Sequence, residues 1–550
     1  MTTRPWLDAY PDIEPEIAIP YANLLELFEY SLSKYAANPA ITNFGKSISF
    51  SELDRRSLCF ADYLQHELGL AKGDRVAIMM PNLIQYPIAI LGILRAGLVA
   101  VNVNPLYTSR ELKHQLKDSD ARAIIILENF ATTFIEIASE VNTEHVIITT
   151  VGDELDMLKG ALVNAVCRYV KKVVPKYSLP GAIKWHSTLK KGKSERYKRP
   201  DIIKDDPAFL QYTGGTTGVS KGAILTHENI LANTLQIDAW FCAYVPKNRD
   251  IMITPLPLYH IFALTVNFFT ILYRGGQNVL ITNPRDFPAF IKELKKWRFN
   301  ALTGVNTLFN ALLHTPGFES VDFSSSQVVL AGGMAVQRSV AEKWNKVTGT
   351  VLIEGYGLTE ASPVISCNPL NITGYTGEIG LPLPSTDMRI VDEQGKEVAK
   401  GEAGELCCRG PQVMAGYWQR PEDSEKALKE GWLHTGDIAV MLDGGTFKIV
   451  DRKKDMIIVS GFNVYPNEVE DVAALHEKVL ECAAISTPSE KSGEAVKLVV
   501  VAKDKSLTSE ELIQFCREHL TGYKVPKVVK FVDELPKTNV GKILRRALRE

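Results

Sequence analysis

The chain has no C-x-x-C pair; its eight cysteines are scattered, and only Cys407 and Cys408 are adjacent. That spacing argues against a metal or disulfide framework and fits a reducing compartment. Excess charge of one sign is also missing. Lysine and arginine number 62 against 64 aspartates and glutamates, a formal net charge of -2, so nothing calls for a nucleic-acid partner. Long apolar runs are lacking too. Of the two most apolar stretches, residues 84–103 are interrupted by Pro87 and Arg95, and residues 261–273 are too short to cross a bilayer. Residues 1–17, MTTRPWLDAYPDIEPEI, are acidic and broken by proline, which does not read as a secretory signal. No short-period repeat stands out. What remains is a 550-residue chain, 45% apolar and 23% charged: a globular protein with room for two or more domains.

Up to about Pro200, strand-like and helical segments alternate. DRVAIMM (74–80) reads as strand-like and is followed by the apolar run from Ile84, whereas RAIIIL (122–127) and HVIITT (145–150) read as buried parallel strands, rich in β-branched residues. The alternation recurs between Phe262 and Leu330, with NVLIT (278–282), a charged helix-like segment at 287–297, and QVVLAGG (327–333). Two such layers predict an α/β fold. From Gly380 to Met441 short strands and turns take over, as in a small β-rich subdomain. DRKKD (451–455) then concentrates five charges, either a solvated turn or a hinge. The expected organisation is a large N-terminal domain over 1–450, made of two α/β layered subdomains plus the β-rich one. A hinge at 451–455 and a small α+β C-terminal domain at 456–550 follow.

Four clusters carry chemistry. QYTGGTTGVSKG (211–222) joins a strand, AFLQYT, to a second element through glycines and hydroxyls beside Lys221. Backbone N–H groups in such a turn close around anionic oxygens, so phosphate binding is preferred over a plain turn. The spacing is not G-x-x-x-x-G-K-[ST]. In EGYGLTEASP (354–363), Tyr356 between glycines offers an open ring face to a planar base, and Glu360 is a hard oxygen ligand for Mg²⁺ or simply a solvated acid. In WLHTGD (432–437), Asp437 suits a bidentate grip on ribose hydroxyls. PKTNVGKILRR (536–546) sets Lys542 in a glycine-containing turn, where an exposed lysine is ordinarily a surface charge.

These elements, with PLYHIF (257–262) and DRKKDMIIVSGFNVYPNEVE (451–470), closely resemble in this order the acyl-adenylate-forming superfamily. The likeness spans nearly the whole chain and is nearest to bacterial long-chain fatty-acid–CoA ligases. It implies a two-step reaction with ATP and coenzyme A as co-substrates, Mg²⁺ as cofactor and a long-chain fatty acid as acyl donor. A carboxylate attacks the α-phosphate of ATP, giving acyl-AMP and pyrophosphate; the thiol of coenzyme A then captures the acyl group and expels AMP. The C-terminal domain is implied to be mobile.

The resemblance also implies roles. Thr213, Gly214, Gly215, Thr216, Thr217 and Gly218 would clasp the departing phosphates, with Lys221 close by. Thr216 and Glu360 would position Mg²⁺. Tyr356 would stack on adenine, Asp437 and Arg452 would hold ribose, and Gly333, Gly357 and Thr359 would also line the ATP site. Lys542 would bridge the attacking carboxylate and the α-phosphate. Lys454 falls at the hinge, about which Lys542 would exchange with a coenzyme A segment at Ser460, Gly461 and Phe462. His260 is either a gate at the acyl and thiol entry or a hydrogen-bonded histidine at a strand end. The fatty chain would lie near His260, Gly304 and Gly333, although a buried helix would read the same. The tryptophan gate of some relatives is missing between Ile261 and Tyr273.

In LKGALVNAVCRYVKKVVPKY (158–177), Leu158, Leu162, Val166, Tyr169, Val170 and Val173 share a helical face apart from Lys159, Arg168, Lys171 and Lys172. This suits an anionic membrane surface or, alternatively, a helix packed on its own domain with its basic face solvated. The expected location is cytoplasmic, with peripheral contact at the inner face of the membrane, and a homodimer is left open. Two rivals stand beside the ligase. One is an acyl-AMP ligase serving a carrier protein. The other is a non-catalytic sensor, against which the retention of Lys542, Glu360 and Asp437 argues.

Overall fold

The computed structural model describes residues 4–213, 220–245, 247, 250–489, 492–538 and 541–549. Among these, two large sheets dominate the first part of the chain. One runs Gly416–Tyr417, Lys221–Thr226, Pro207–Thr213, Val99–Asn102, Arg75–Met79, Ala121–Leu127, His145–Thr149 and Ile183–Lys184. From Pro207–Thr213 to Ile183–Lys184 every pairing is parallel, whereas Lys221–Thr226 and its neighbour return antiparallel. The central strands are buried on both faces and so read as continuous apolar runs.

The second sheet has the parallel core Leu352–Gly357, Val328–Ala331, Ala301–Gly304, Ile251–Thr254, Gln277–Leu280 and Pro39–Asn43, closed at each edge by antiparallel strands. Its register brings Gly304 beside Ala331, and Ala331 beside Glu354, so two strands end here while the third runs on to Gly357. Open α/β sheets bind ligands outside such carboxyl ends. A smaller antiparallel sheet follows, with Trp432–Met441 paired to both Gly404–Arg409 and Phe447–Arg452. One hydrophobic core reaches from Trp6 to Phe447.

A separate core, from Ile457 to Val525, underlies the last sheet, in which Val479–Ser489 pairs with Gly493–Ala502. On the other face of that sheet Ala483, Ile485, Val499, Val501 and Leu535 receive Ile543 and Leu548. Sequestering Ile543 anchors the residue next to Lys542. The DRKKD run is not the wholly solvated turn its charges suggest. Its first residue ends inside a strand and is buried, while Arg452, Lys453 and Lys454 are exposed.

Candidate active site

The carboxyl ends of the second sheet, the hairpin ending Trp432–Met441 and the C-terminal tail converge on one cleft. Tyr356 stands at the end of Leu352–Gly357, and its hydroxyl donates to Asp437 Oδ2 at 2.5 Å. Arg452 Nε lies 3.3 Å from the other Asp437 oxygen. Burial, then the Asp437 carboxylate, push the Tyr356 phenol far above its ordinary pKa, so it stays a donor. Gly357 is required by close approach: a Cβ there would sit 2.0 Å from the Pro363 carbonyl oxygen.

Glu360 follows in a short 3₁₀ turn, Thr359–Ala361, and its Oε1 accepts from Tyr417 at 2.7 Å. Lys221, which opens the strand after the phosphate-loop candidate, pairs with Asp423 at 2.8 Å and lies over the Tyr417 ring. Thr213 ends the preceding strand, so the candidate loop joins two antiparallel strands. Gly214, Gly215, Thr216, Thr217 and Gly218 lie outside the described residues. No cluster of three metal-ligating side chains occurs among the described residues. A single carboxylate does suit Mg²⁺, which is held through one or two carboxylates plus waters and substrate phosphates.

Lys542 enters this cleft from the C-terminal domain. Its backbone N–H donates to Thr538 Oγ1 at 3.0 Å and its carbonyl accepts from the Thr538 N–H at 2.6 Å, fixing its position against Thr538. The tail is held across the domains by Thr307, whose hydroxyl donates to the Gly541 carbonyl at 2.9 Å. Gly333, at φ +78°, leaves the space that the lysine fills; a Cβ there would lie 3.1 Å from Lys542 Cε. Desolvation, then the charge of Arg452, hold the Lys542 amine down at about 8, while Asp437 and Glu360 pull the other way. His260 faces the same charge. Burial first, then Lys542, lower it to about 3, so it is neutral at working pH; its Nδ1 accepts from the Phe262 N–H at 3.3 Å.

Residues 28–418 match the family of AMP-binding enzymes, and residues 468–542 match the AMP-binding enzyme C-terminal domain. The chain belongs to the AMP-binding enzyme family. Among its relatives, the "Long-chain-fatty-acid--CoA ligase" of Salmonella typhimurium is 58% identical over 547 residues, covering 99% of this chain and 98% of the relative. A protein of the same name from Haemophilus influenzae is 54% identical over 550 residues, and one from Bacillus subtilis 40% over 553, with at least 98% of each chain covered. Of the solved structures, ATP-bound MatB from Rhodopseudomonas palustris superposes with a TM-score of 0.82 at 28% identity, over 96% of this chain and 98% of that one. The anthranilate CoA ligase AuaEII, at 23% identity, shares the fold with a TM-score of 0.86 over 97% of each chain.

Not every residue singled out from the sequence meets in the cleft. Ser460 and Gly461 form an exposed turn at φ +51° and +83° between Ile457–Val459 and Phe462–Val464. Phe462 is exposed and stacks on Tyr523, with centroids 4.9 Å apart. Gly304 faces the ring of Phe309, 2.6 Å from where a Cβ would stand. The run after His260 is a buried helix, Ala263–Phe269 continued by Thr270–Arg274. The sequence reading missed Tyr417, Asp423 and Thr307, which meet Glu360, Lys221 and Gly541 only through the fold. Their one local signal is that Tyr417 and Asp423 flank Pro421.

Proposed function

We infer that this protein is a long-chain fatty-acid–CoA ligase. It activates the fatty acid with ATP to acyl-AMP and pyrophosphate, then transfers the acyl group to coenzyme A, releasing AMP. The observation that carries the reading is Lys542, brought by the C-terminal domain to Gly333 within the field of Asp437, Glu360 and Arg452. In the proposed first step Tyr356 supports adenine, while Asp437 and Arg452 hold the ribose. Glu360 would hold Mg²⁺, with Thr216 proposed as its partner; when bound, the ion would supply positive charge against the phosphates. Lys542 donates to the attacking carboxylate and the α-phosphate, offsetting negative charge as it builds. Neutral His260 then serves by shape and hydrogen bonding at the acyl entry, not as a charged acid.

For the second step Lys542 has to leave. We place the turn at Lys454, exchanging the lysine for Ser460, Gly461 and Phe462, which would line the coenzyme A path. The test supplies ATP, Mg²⁺, coenzyme A and fatty acids from short to long, following AMP and acyl-CoA. Highest kcat/KM on long chains supports the reading; acyl-AMP piling up with no thioester points to a carrier-protein ligase, and no turnover to a sensor.

A pH dependence follows from the same lysine. Its folded pKa is depressed to about 8, so the cation is present below that pH and lost above it. In the free enzyme, kcat/KM for acyl-AMP formation therefore falls above about pH 8. Lys542→Arg moves that limb upward, because guanidinium stays charged. A limb unmoved by arginine belongs to another group.

A further inference from the structure

The helix Met157–Ala165, continued by the π-helical turn Val166–Val170, turns its apolar side chains away from the protein. Met157, Leu158, Leu162, Tyr169, Val170 and Val173 are between 49% and 84% exposed, whereas only Gly160 of the helix is buried. A helix this short ordinarily owes its stability to burying such a face. Here it is tethered by polar and backbone contacts instead. Gly152 and Gly160 pack backbone to backbone, a Cβ on Gly152 falling 2.3 Å from the Gly160 carbonyl oxygen. Asn164 accepts from the Gly152 N–H and donates to Thr150 Oγ1, both at 2.8 Å. Lys159 donates to the carbonyl of Phe44, another exposed aromatic at the adjoining hairpin turn. The alternative of an apolar face packed on its own domain is the reverse of this arrangement.

Positive charge borders the patch. Arg168 pairs with Glu128, whereas Lys171, Lys172 and Lys176 are exposed and form no ion pair with a described residue. A contiguous exposed apolar cluster marks an interaction surface. With lysines beside it the complementary partner is an anionic lipid surface, and Tyr169 suits the level between headgroups and acyl chains. We propose that residues 157–176 are a bilayer-docking face, with Leu158, Leu162, Tyr169 and Val170 immersed and Lys171, Lys172 and Lys176 on lipid phosphates. The face belongs to the N-terminal core, and its existence does not depend on which acid the enzyme activates.

The test is co-sedimentation of the full chain with phosphatidylcholine vesicles, with and without phosphatidylglycerol. Leu158→Ser/Leu162→Ser/Tyr169→Ser lowers partitioning onto anionic vesicles by at least about tenfold, since each immersed CH₂ adds affinity. Lys171→Gln/Lys172→Gln/Lys176→Gln lowers it by about tenfold or more on anionic vesicles and leaves neutral ones unchanged. Both variants keep wild-type melting and ATP–pyrophosphate exchange with water-soluble octanoate, because the altered side chains support no core. Wild-type protein that ignores anionic vesicles overturns the proposal, as do variants that bind like wild type. A lipid-free wild-type dimer that the serine variant dissociates would also overturn it, assigning the face to a second copy.

Discussion

Lys542→Ala slows adenylation by about 10³-fold or more, roughly 4 kcal/mol of transition-state stabilisation, on the scale of losing a preorganised electrostatic donor. Capture of supplied acyl-AMP by coenzyme A stays within a few-fold of wild type. The asymmetry rests on when the ammonium is needed. Two anions must approach each other in a cleft that already carries Glu360 and Asp437, and the Lys542 amine is desolvated there at a cost that lowers its pKa to about 8. Arrival of the carboxylate and phosphate pulls that pKa back up, so binding energy goes into a charge already aimed at the reacting atoms. The contacts fixing the turn, Thr538 to the Lys542 backbone and Thr307 to Gly541, do not involve the lysine side chain and survive the substitution. ATP–pyrophosphate exchange with palmitate and single turnover of palmitoyl-AMP with coenzyme A separate the two steps. Exchange at the wild-type rate would remove Lys542 from the chemistry.

Much of this cleft can be read along the chain because its residues are paired with local constraints. Gly357 has to be glycine beside the Pro363 carbonyl, and Gly333 because of its positive φ and the lysine against it, so the glycine clusters mark close approaches. Ala121–Leu127 was legible from its β-branched run, since a strand buried on both faces has little use for polar alternation; His145–Thr149 carries a similar run but buries only Ile147 and Thr149. What could not be read is pairing across the fold. Nothing near Glu360 announces that Tyr417 will hydrogen-bond it, and nothing near Lys221 announces Asp423. The burial of one end of DRKKD was hidden for the same reason. Asp451 is buried because the Asn467 N–H donates to it at 2.8 Å and Arg545 approaches within 3.6 Å, from distant parts of the chain. Burial, opposed by Arg545, raises Asp451 to about 6. The helix at 157–165 shows the converse: its amphipathic pattern was plain, but only the fold told which side faces outward.

Lys454→Pro keeps adenylation within about threefold and slows thioester formation by about 100-fold, some 3 kcal/mol, by holding one backbone torsion fixed. The structure presents Lys542 to the cleft and leaves Phe462 on the outside against Tyr523, the arrangement suited to the first step. Proline costs little in that arrangement, because the Lys454 N–H donates to no described residue. The bonds around it come from its neighbours: Lys453 N–H to the Gly436 carbonyl at 3.1 Å, and Asp455 N–H to the Arg452 carbonyl at 3.0 Å. On either side the chain is gripped. Asp451 is paired with Ile438 in the preceding sheet, while beyond the pivot Arg545 holds Glu470 at 2.8 Å and Asp455 at 3.7 Å; the bonds from Asn467 and Arg545 to Asp451 cross the pivot and must break as it turns. Rotation is therefore concentrated in the exposed residues between, where a locked φ at 454 and a restricted Lys453 leave few ways to turn. Lys454→Ala, which keeps the torsion free, retains both half-reactions. Equal losses of the two steps in the proline variant, or unimpaired thioester formation, would place the pivot elsewhere.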